Sequence, residues 1–363
     1  MKASGLGTGI LAGFLLVLIF FLIFYIYYNG GISGIFNHIS NGISSSIGAV
    51  TNPGQGSQSG TTIPQENVSA GQQGMNLSAL AAYALSLINA DRRDYGLSNV
   101  TLSDEGSGQQ HADSMLRHGY FSHWDIYGMK PYMRYTLMGG RGAVEENVAY
   151  IISESCGALG CSGALNVKNA IKEMEYNMMY NDSACCNNGH RDNILDRYHN
   201  QVSLGIAYNS SNIYLVEDFI DNYISWGKGM PSYSNPEVYL SGAALGGYGV
   251  SEVIVSYDAP VSNMSTGELM NTSSYSYGVQ AAGIAKDSSY YYPNVTTIVA
   301  DRYITSGHNF TIDFSMDKLY KQRGAGEYTV IIWLKAPGSQ GFVGSSYTLF
   351  VNGSGVGLLP SGI

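Results

Sequence analysis

Charged residues are scarce. Asp, Glu, Lys and Arg make up 12% of the 363 residues, 27 acids outnumber 18 Lys and Arg, and the net charge is −9. A chain so poor in cations has no basic face to lay along a phosphate backbone, which argues against nucleic acid as a partner. Two catalytic strings are missing: there is no H-E-x-x-H and no G-x-S-x-G. Cysteine is limited to Cys156, Cys161, Cys185 and Cys186. In an exported chain an even number reads as two disulfides rather than as a metal centre. Adjacent cysteines bridge each other only under strain. Cys185 and Cys186 are therefore each expected to pair with Cys156 or Cys161, in an order that the sequence leaves open.

Charge is absent altogether between Lys2 and Glu66, and the run Ile10–Tyr28 is almost wholly apolar. At about 1.5 Å per residue such a helix spans roughly 28 Å, close to the hydrocarbon thickness of a bilayer. Tyr25, Tyr27 and Tyr28 close the run, where amphipathic rings favour the interface. Residues 1–29 are read as an uncleaved transmembrane anchor, because the segment is long for a signal peptide and ends in a poor cleavage site. With Lys2 on the inner side, the expected location is the cell membrane, single-pass, with the bulk of the chain extracellular. Ten Asn-x-Ser/Thr acceptors, from Asn67 to Asn352, suit an exported glycoprotein.

Residues 30–75, rich in Gly, Ser, Asn and Gln, read as a flexible stalk that cannot bury enough apolar surface to fold alone. Ile32, Ile35, Phe36, Ile39, Ile43 and Ile47 share one helical face there, so a short helix lying on the membrane is the alternative. Residues 76–228 carry helical patterns over Leu77–Asp94, from Ser103 to Arg117, from Pro131 towards Gly139, and over Ala164–Tyr180. Val202–Tyr208 and Ile213–Phe219 read as a β-hairpin turning at Asn209–Asn212. Residues 232–356 show short β-prone runs without a convincing helix: Glu252–Tyr257, Tyr275–Ala281, Thr296–Thr305, Phe310–Met316, Glu327–Leu334 and Ser346–Val351. The expected class is α+β, with a helix-rich domain followed by an all-β sandwich.

Three strings hold candidate chemistry. Gln110-His111-Ala112-Asp113-Ser114-Met115 leads into Phe121-Ser122-His123-Trp124-Asp125; Glu145-Glu146-Asn147-Val148-Ala149 follows; then comes Gly189-His190-Arg191-Asp192-Asn193-Ile194-Leu195. With Asn89 and Arg92 or Arg93 before them and Tyr214-Leu215-Val216-Glu217-Asp218-Phe219 after, they resemble, in order, the CAP superfamily (cysteine-rich secretory proteins, antigen 5, pathogenesis-related 1), above all its prokaryotic SCP-like branch. The resemblance covers about residues 76–222. It implies an α-β-α sandwich with a cleft of two histidines and acidic residues that binds a divalent metal in some members.

Carried over by the resemblance, His123 and His190 are the paired imidazoles and Glu146 is the cleft acid. Two neutral imidazoles and a carboxylate also form a three-ligand set for Zn2+ or another divalent cation. Glu145 stands where the family has Gly, placing two carboxylates side by side, where their proximity could raise one pKa. The helix before His190 puts Asn177 at the family's second acid, with Glu173 and Glu175 as alternatives in a different register. His111 reads as a packing residue, and Asn147 and Asn193 as partners of backbone groups. The leading expectation is a non-catalytic module that binds an extracellular lipid, glycan or protein. Its alternative is a metal-assisted hydrolase at the cell surface, with Glu145 as general base. A vestigial cleft is the third.

Overall fold

The computed structural model describes residues 76–152, 156–157, 160–161, 165–272, 274–352 and 355–357. The expected anchor over 1–29 and stalk over 30–75 lie outside them. Among the described residues no helix is long and apolar enough to cross a membrane.

Asn76 opens the first helix, α1 (Leu77–Asp94), with its side-chain oxygen accepting from the Ser78 amide. Arg92 on its last turn is fully buried. The guanidinium donates to the carbonyls of Ser98, Ile194, Asp196 and His199 at 2.7–3.1 Å. Asn89 closes a second pair of bonds with the backbone of Val100. Arg93 is exposed. The buried pair Asn89 and Arg92 thus ties α1 to two distant loops.

Helix α2 (Ser107–His118) starts four residues later than Ser103, which lies at the end of a short strand instead, and closes at Gly119 in the left-handed conformation. Helix α3 is Pro131–Leu137, α4 Val167–Tyr180, α5 Ser183–Cys186 and α6 Gly189–Ile194. The strands between them are β1 (Thr101–Leu102), β2 (Ala143–Ile152), β3 (Cys156–Gly157), β4 (Gly160–Cys161), β5 (Gln201–Tyr208) and β6 (Asn212–Asp221). They build a four-stranded sheet in the order β1-β5-β6-β2, with β2 at an edge. The Asn209 side chain caps the β5–β6 turn by accepting from the Ser211 and Asn212 amides.

Strand alternation divides this sheet's side chains between two faces. Leu204, Ile206, Leu215 and Phe219 pack with α1, α4 and α6. Val148, Ala207, Tyr214 and Val216 pack with α2. The result is three layers, helix on sheet on helix. Gly108 and Gly205 let α2 approach β5 closely, since a Cβ at either would overlap the other segment's backbone.

The second half pairs a six-stranded sheet with a five-stranded one. The first runs β12-β11-β10-β15-β16-β17, from β12 (Thr296–Val299), β11 (Val279–Ala285), β10 (Gly249–Asp258), β15 (Gly326–Lys335), β16 (Phe342–Asn352) and β17 (Gly355–Gly357). The second runs β13-β14-β9-β7, from β13 (Arg302–Ser306), β14 (Asn309–Ser315), β9 (Glu237–Ala244) and β7 (Ile224–Trp226), with β8 (Ser232–Ser234) on β9. Val238, Leu240, Phe310 and Phe314 meet Val253, Val255, Val330 and Leu334 in one core, as a sandwich requires. Two short helices, α7 (Thr266–Met270) and α8 (Asp317–Arg323), interrupt the strands where none was expected. A capping box of Ser265 and Glu268 accounts for α7. The run Thr296–Thr305 divides into two strands belonging to different sheets. Mixed helix and sheet make the chain α+β.

The halves share a core. Phe350 of β16 packs among Met129, Tyr132, Met133 and Tyr135 of the α3 region. The Ser346 amide donates to Gly142 O, and the Thr348 amide to Thr136 Oγ1. Replacing Arg92 by Lys keeps its charge but orphans several buried carbonyls. We expect a loss of about 2–4 kcal/mol in chemical denaturation, against under about 0.5 kcal/mol for Arg93→Lys.

Candidate functional site

A pocket of about 840 Å3 opens at the free edge of β2, and it is lined by His123, Glu145, Glu146 and His190. All four candidate residues therefore border one space. They do not converge on one point. Among the described residues, the group of three or more ligand atoms within 4.8 Å of one another is Asp182, Cys185, Cys186 and His190.

Glu146 is fully buried. One carboxylate oxygen accepts from Arg134 Nη2 at 2.6 Å, and the other faces His123 Nδ1 at 2.9 Å. Arg134 projects from α3, where Pro131 at the first turn sets the helix start. The same guanidinium donates to the carbonyls of His123 and Met129 at 2.8 and 2.9 Å. Asp125 accepts from the Tyr127 and Met129 amides and so shapes the intervening loop. Arg134 lies outside every string singled out in the sequence. Its single signal was an arginine in an otherwise apolar short helix.

Burial pushes the Glu146 carboxyl up to about 7, against the pull of Arg134. Its cross-strand neighbour Asp218 is raised well above the usual range, by burial first and then by Glu146. Ser107 Oγ donates to Asp218 at 2.5 Å. Glu146 rather than Asp218 faces the guanidinium. His123 is pushed down to about 4 by burial, with Arg134 adding to it. Its contact with Glu146 is therefore a hydrogen bond from a neutral imidazole near neutral pH, not an ion pair. His111 sits buried on α2, with Nε2 2.8 Å from Ser122 O.

His190 is held by an acid that the sequence reading did not name. Asp182 Oδ1 lies 2.6 Å from His190 Nδ1, and Oδ2 accepts from the His190 and Arg191 amides. The proposed acid position, Asn177, is exposed and bonded to Asn181. Glu173 is also exposed. Glu175 is buried on the far face of the sheet with Glu217, where burial and then their mutual repulsion push it well above its usual range. The acid that meets His190 comes instead from the turn after the helix. An Asp eight residues before His190, just ahead of α5, was the available signal.

Glu145 and Glu146 do not act on each other as adjacency suggested. Successive residues of β2 project to opposite faces of the sheet. Glu145 is exposed by surface area yet crowded by its neighbours, which pushes its carboxyl up; the charges acting on it are His199, Asp221 and Asp196. Asn147 donates to His190 O and accepts from Asn193, which in turn meets His199 Nε2. These amides brace the pocket floor.

Cys185 and Cys186 also line the pocket, and they are joined to each other. This corrects the expected pairing with Cys156 and Cys161. Cys156 and Cys161 face each other in the β3–β4 register, while α5 holds the adjacent pair at the pocket. Long-range placement outweighed the local penalty on which the expectation rested.

The remaining wall belongs to the second half. The segment between β10 and β11, expected in part as a strand from Tyr275, runs across the pocket instead. Ser122 Oγ donates to Thr272 O, Trp124 Nε1 to Ser274 O, and Lys130 Nζ to Ser276 O and Asp258. The Tyr275 hydroxyl accepts the Glu146 amide at 2.7 Å, and its ring centroid stands 5.0 Å from that of His123. An edge-strand amide that would face solvent is thereby satisfied from the β half.

No family model and no curated protein matches the sequence. Two solved structures are similar to the chain. An extracellular protein containing an SCP domain from Bacillus anthracis is 16% identical over 40% of this chain and 41% of its own, with a TM-score of 0.29. The CAP domain of enterococcal PrgA is 17% identical over 39% of this chain and 60% of its own, with a TM-score of 0.29.

Two outcomes test the site. The His123 ring is expected to titrate near pH 4 by NMR, far below an unperturbed histidine at about 6.5. Its neutral folded form then stabilises the protein above about pH 6.5, and that contribution is lost as pH falls towards 4. Replacing Arg134 by Met is expected to cost about 3–5 kcal/mol, because a buried carboxylate loses its counter-ion. Adding Glu146→Gln should recover part of that loss in a double-mutant cycle; strict additivity would contradict the coupling.

Proposed function

We propose that the chain is a membrane-anchored extracellular binding module of the CAP type, whose pocket takes a ligand between the helix-rich half and the β half. The observation that carries this reading is the two-sided pocket, with His123, Glu146 and His190 on one wall and Tyr275 laid against them from the other. Concave, partly aromatic pockets with a few placed polar groups are the usual form of ligand sites. Export rests on the apolar run Ile10–Tyr28 and the ten glycosylation acceptors.

A divalent cation such as Zn2+ fits the two histidines. Each ring uses Nδ1 on a carboxylate, Glu146 or Asp182, which leaves Nε2 for a metal, the arrangement that carboxylates commonly impose on metal-binding imidazoles. Glu146 fits the orienting role better than the ligand role, since Arg134 and His123 occupy its oxygens. When bound, the ion would supply a Lewis-acidic point of attachment for an anionic or carbonyl ligand group. The protein's own residues hold the rings, keep His123 neutral and close one side with Tyr275.

Binding is preferred to hydrolysis on the same geometry. Glu146 is fully engaged by Arg134 and His123, and Glu145, the base that a hydrolase would need, borders the pocket but projects from the face of β2 opposite Glu146.

The test is calorimetric titration of Zn2+ into the full chain in detergent at pH 7.5. One ion per chain is expected, with binding weakened at least tenfold in His123→Ala/His190→Ala. A folded parent that takes up no Zn2+ would remove the metal and direct the search for ligands to lipid, glycan and protein.

A further inference from the structure

The adjacent cysteines line the pocket described above, but the binding reading assigns them no role. They lie at its mouth in α5, Cys185 exposed and Cys186 half-buried. Asp182 precedes them and His190 follows. Asn187 and Asn188 both adopt left-handed backbone conformations, with φ of 52° and 64°, which Asn tolerates better than most residues. Those two residues turn the chain so that His190 comes back onto Asp182. One donor atom from each of Asp182, Cys185, Cys186 and His190 lies within 4.8 Å of the others. Cys185 Sγ is 3.5 Å from Asp182 Oδ1.

We propose that this cluster is a redox-gated site for a thiophilic divalent cation of the Zn2+ class: closed while Cys185 and Cys186 are bridged, and open when they are reduced. Bridged sulfurs have no thiolate to offer, and thiolate is the form that binds metal. An external dithiol opens the site. It delivers two electrons and two protons, the Cys185–Cys186 bond breaks to two thiols, and the reductant becomes a disulfide. Uptake of the ion then releases the two thiol protons.

Tetrahedral Zn2+ with Zn–S of about 2.3 Å and Zn–N of about 2.0 Å needs donor separations of roughly 3.3–3.8 Å. The bridged sulfurs must move apart to that spacing once reduced, and donor pairs that lie wider, up to 4.8 Å, must close by about an ångström. The 2.6 Å contact between His190 Nδ1 and Asp182 Oδ1 must likewise open if both ligate by those atoms. Two sulfurs, one imidazole and one carboxylate form a donor set that favours Zn2+ over Mg2+ or Ca2+.

The site shares His190 with the histidine pair but not His123 or Glu146, so the two readings separate experimentally. The full chain in detergent is treated with a phosphine reductant, freed of it, and titrated with Co2+ under anaerobic conditions. The expected result is a thiolate-to-cobalt charge-transfer band in the near ultraviolet, at one ion per chain, that Zn2+ abolishes. The band should be absent without reduction and absent in Cys185→Ser/Cys186→Ser. It should persist in Cys156→Ser/Cys161→Ser and in His123→Ala, and Asp182→Asn should weaken binding about tenfold or more. The proposal is overturned if the reduced chain, folded by circular dichroism, gives no band. It is equally overturned if the band survives in Cys185→Ser/Cys186→Ser or disappears in Cys156→Ser/Cys161→Ser.

Discussion

The guanidinium of Arg134 meets the carboxylate of Glu146 inside the protein, with both side chains out of reach of water. A buried carboxylate without such a partner would take up a proton or unfold its surroundings. Because Arg134 also holds the carbonyls of His123 and Met129, the charge pair fixes the path of the loop carrying His123. The position of that ring, its neutrality and its hydrogen bond to Glu146 follow from one ion pair. Asp218, whose carboxyl is pushed well above its usual range by burial and by Glu146, completes the buried group.

The other histidine has its own, separate anchor. Asp182 binds the ring and main chain of His190 from a short turn that also holds the cysteines. The pocket therefore has two independently braced imidazoles. One depends on α3 and the sheet, the other on the turn around α5 that precedes α6. The Glu175–Glu217 pair lies across the sheet and belongs to the support beneath the site, not to its chemistry.

The β half finishes the pocket as well as extending the chain. Backbone carbonyls of Thr272, Ser274 and Ser276 each receive a side chain from the helix-rich half, and Tyr275 caps the β2 edge. A ligand entering beside His123 meets residues from both halves.

Much of the local structure was legible in the sequence. Leu77–Asp94 announces itself by its apolar period, and Asn209 marks the β5–β6 turn. The ordered strings around His123, Glu146 and His190 pointed to one cleft, and the three residues do line one pocket. Local pattern suffices for such features because they rest on interactions within a few residues. Arg134, Asp182 and Tyr275 were not legible, since each acquires its role by meeting a partner that folding brings near: Arg134 at Glu146, Asp182 at His190 across a left-handed turn, Tyr275 at Glu146 from the segment between β10 and β11. The Cys185–Cys186 bridge escaped for the same reason, because the local penalty for joining neighbours says nothing about where distant cysteines lie. The sequence by itself determined the four longer helices of the first half and the hairpin, and it pointed to the two histidines. Only the tertiary structure decided which charges are buried together, and burial is what sets their protonation and their use.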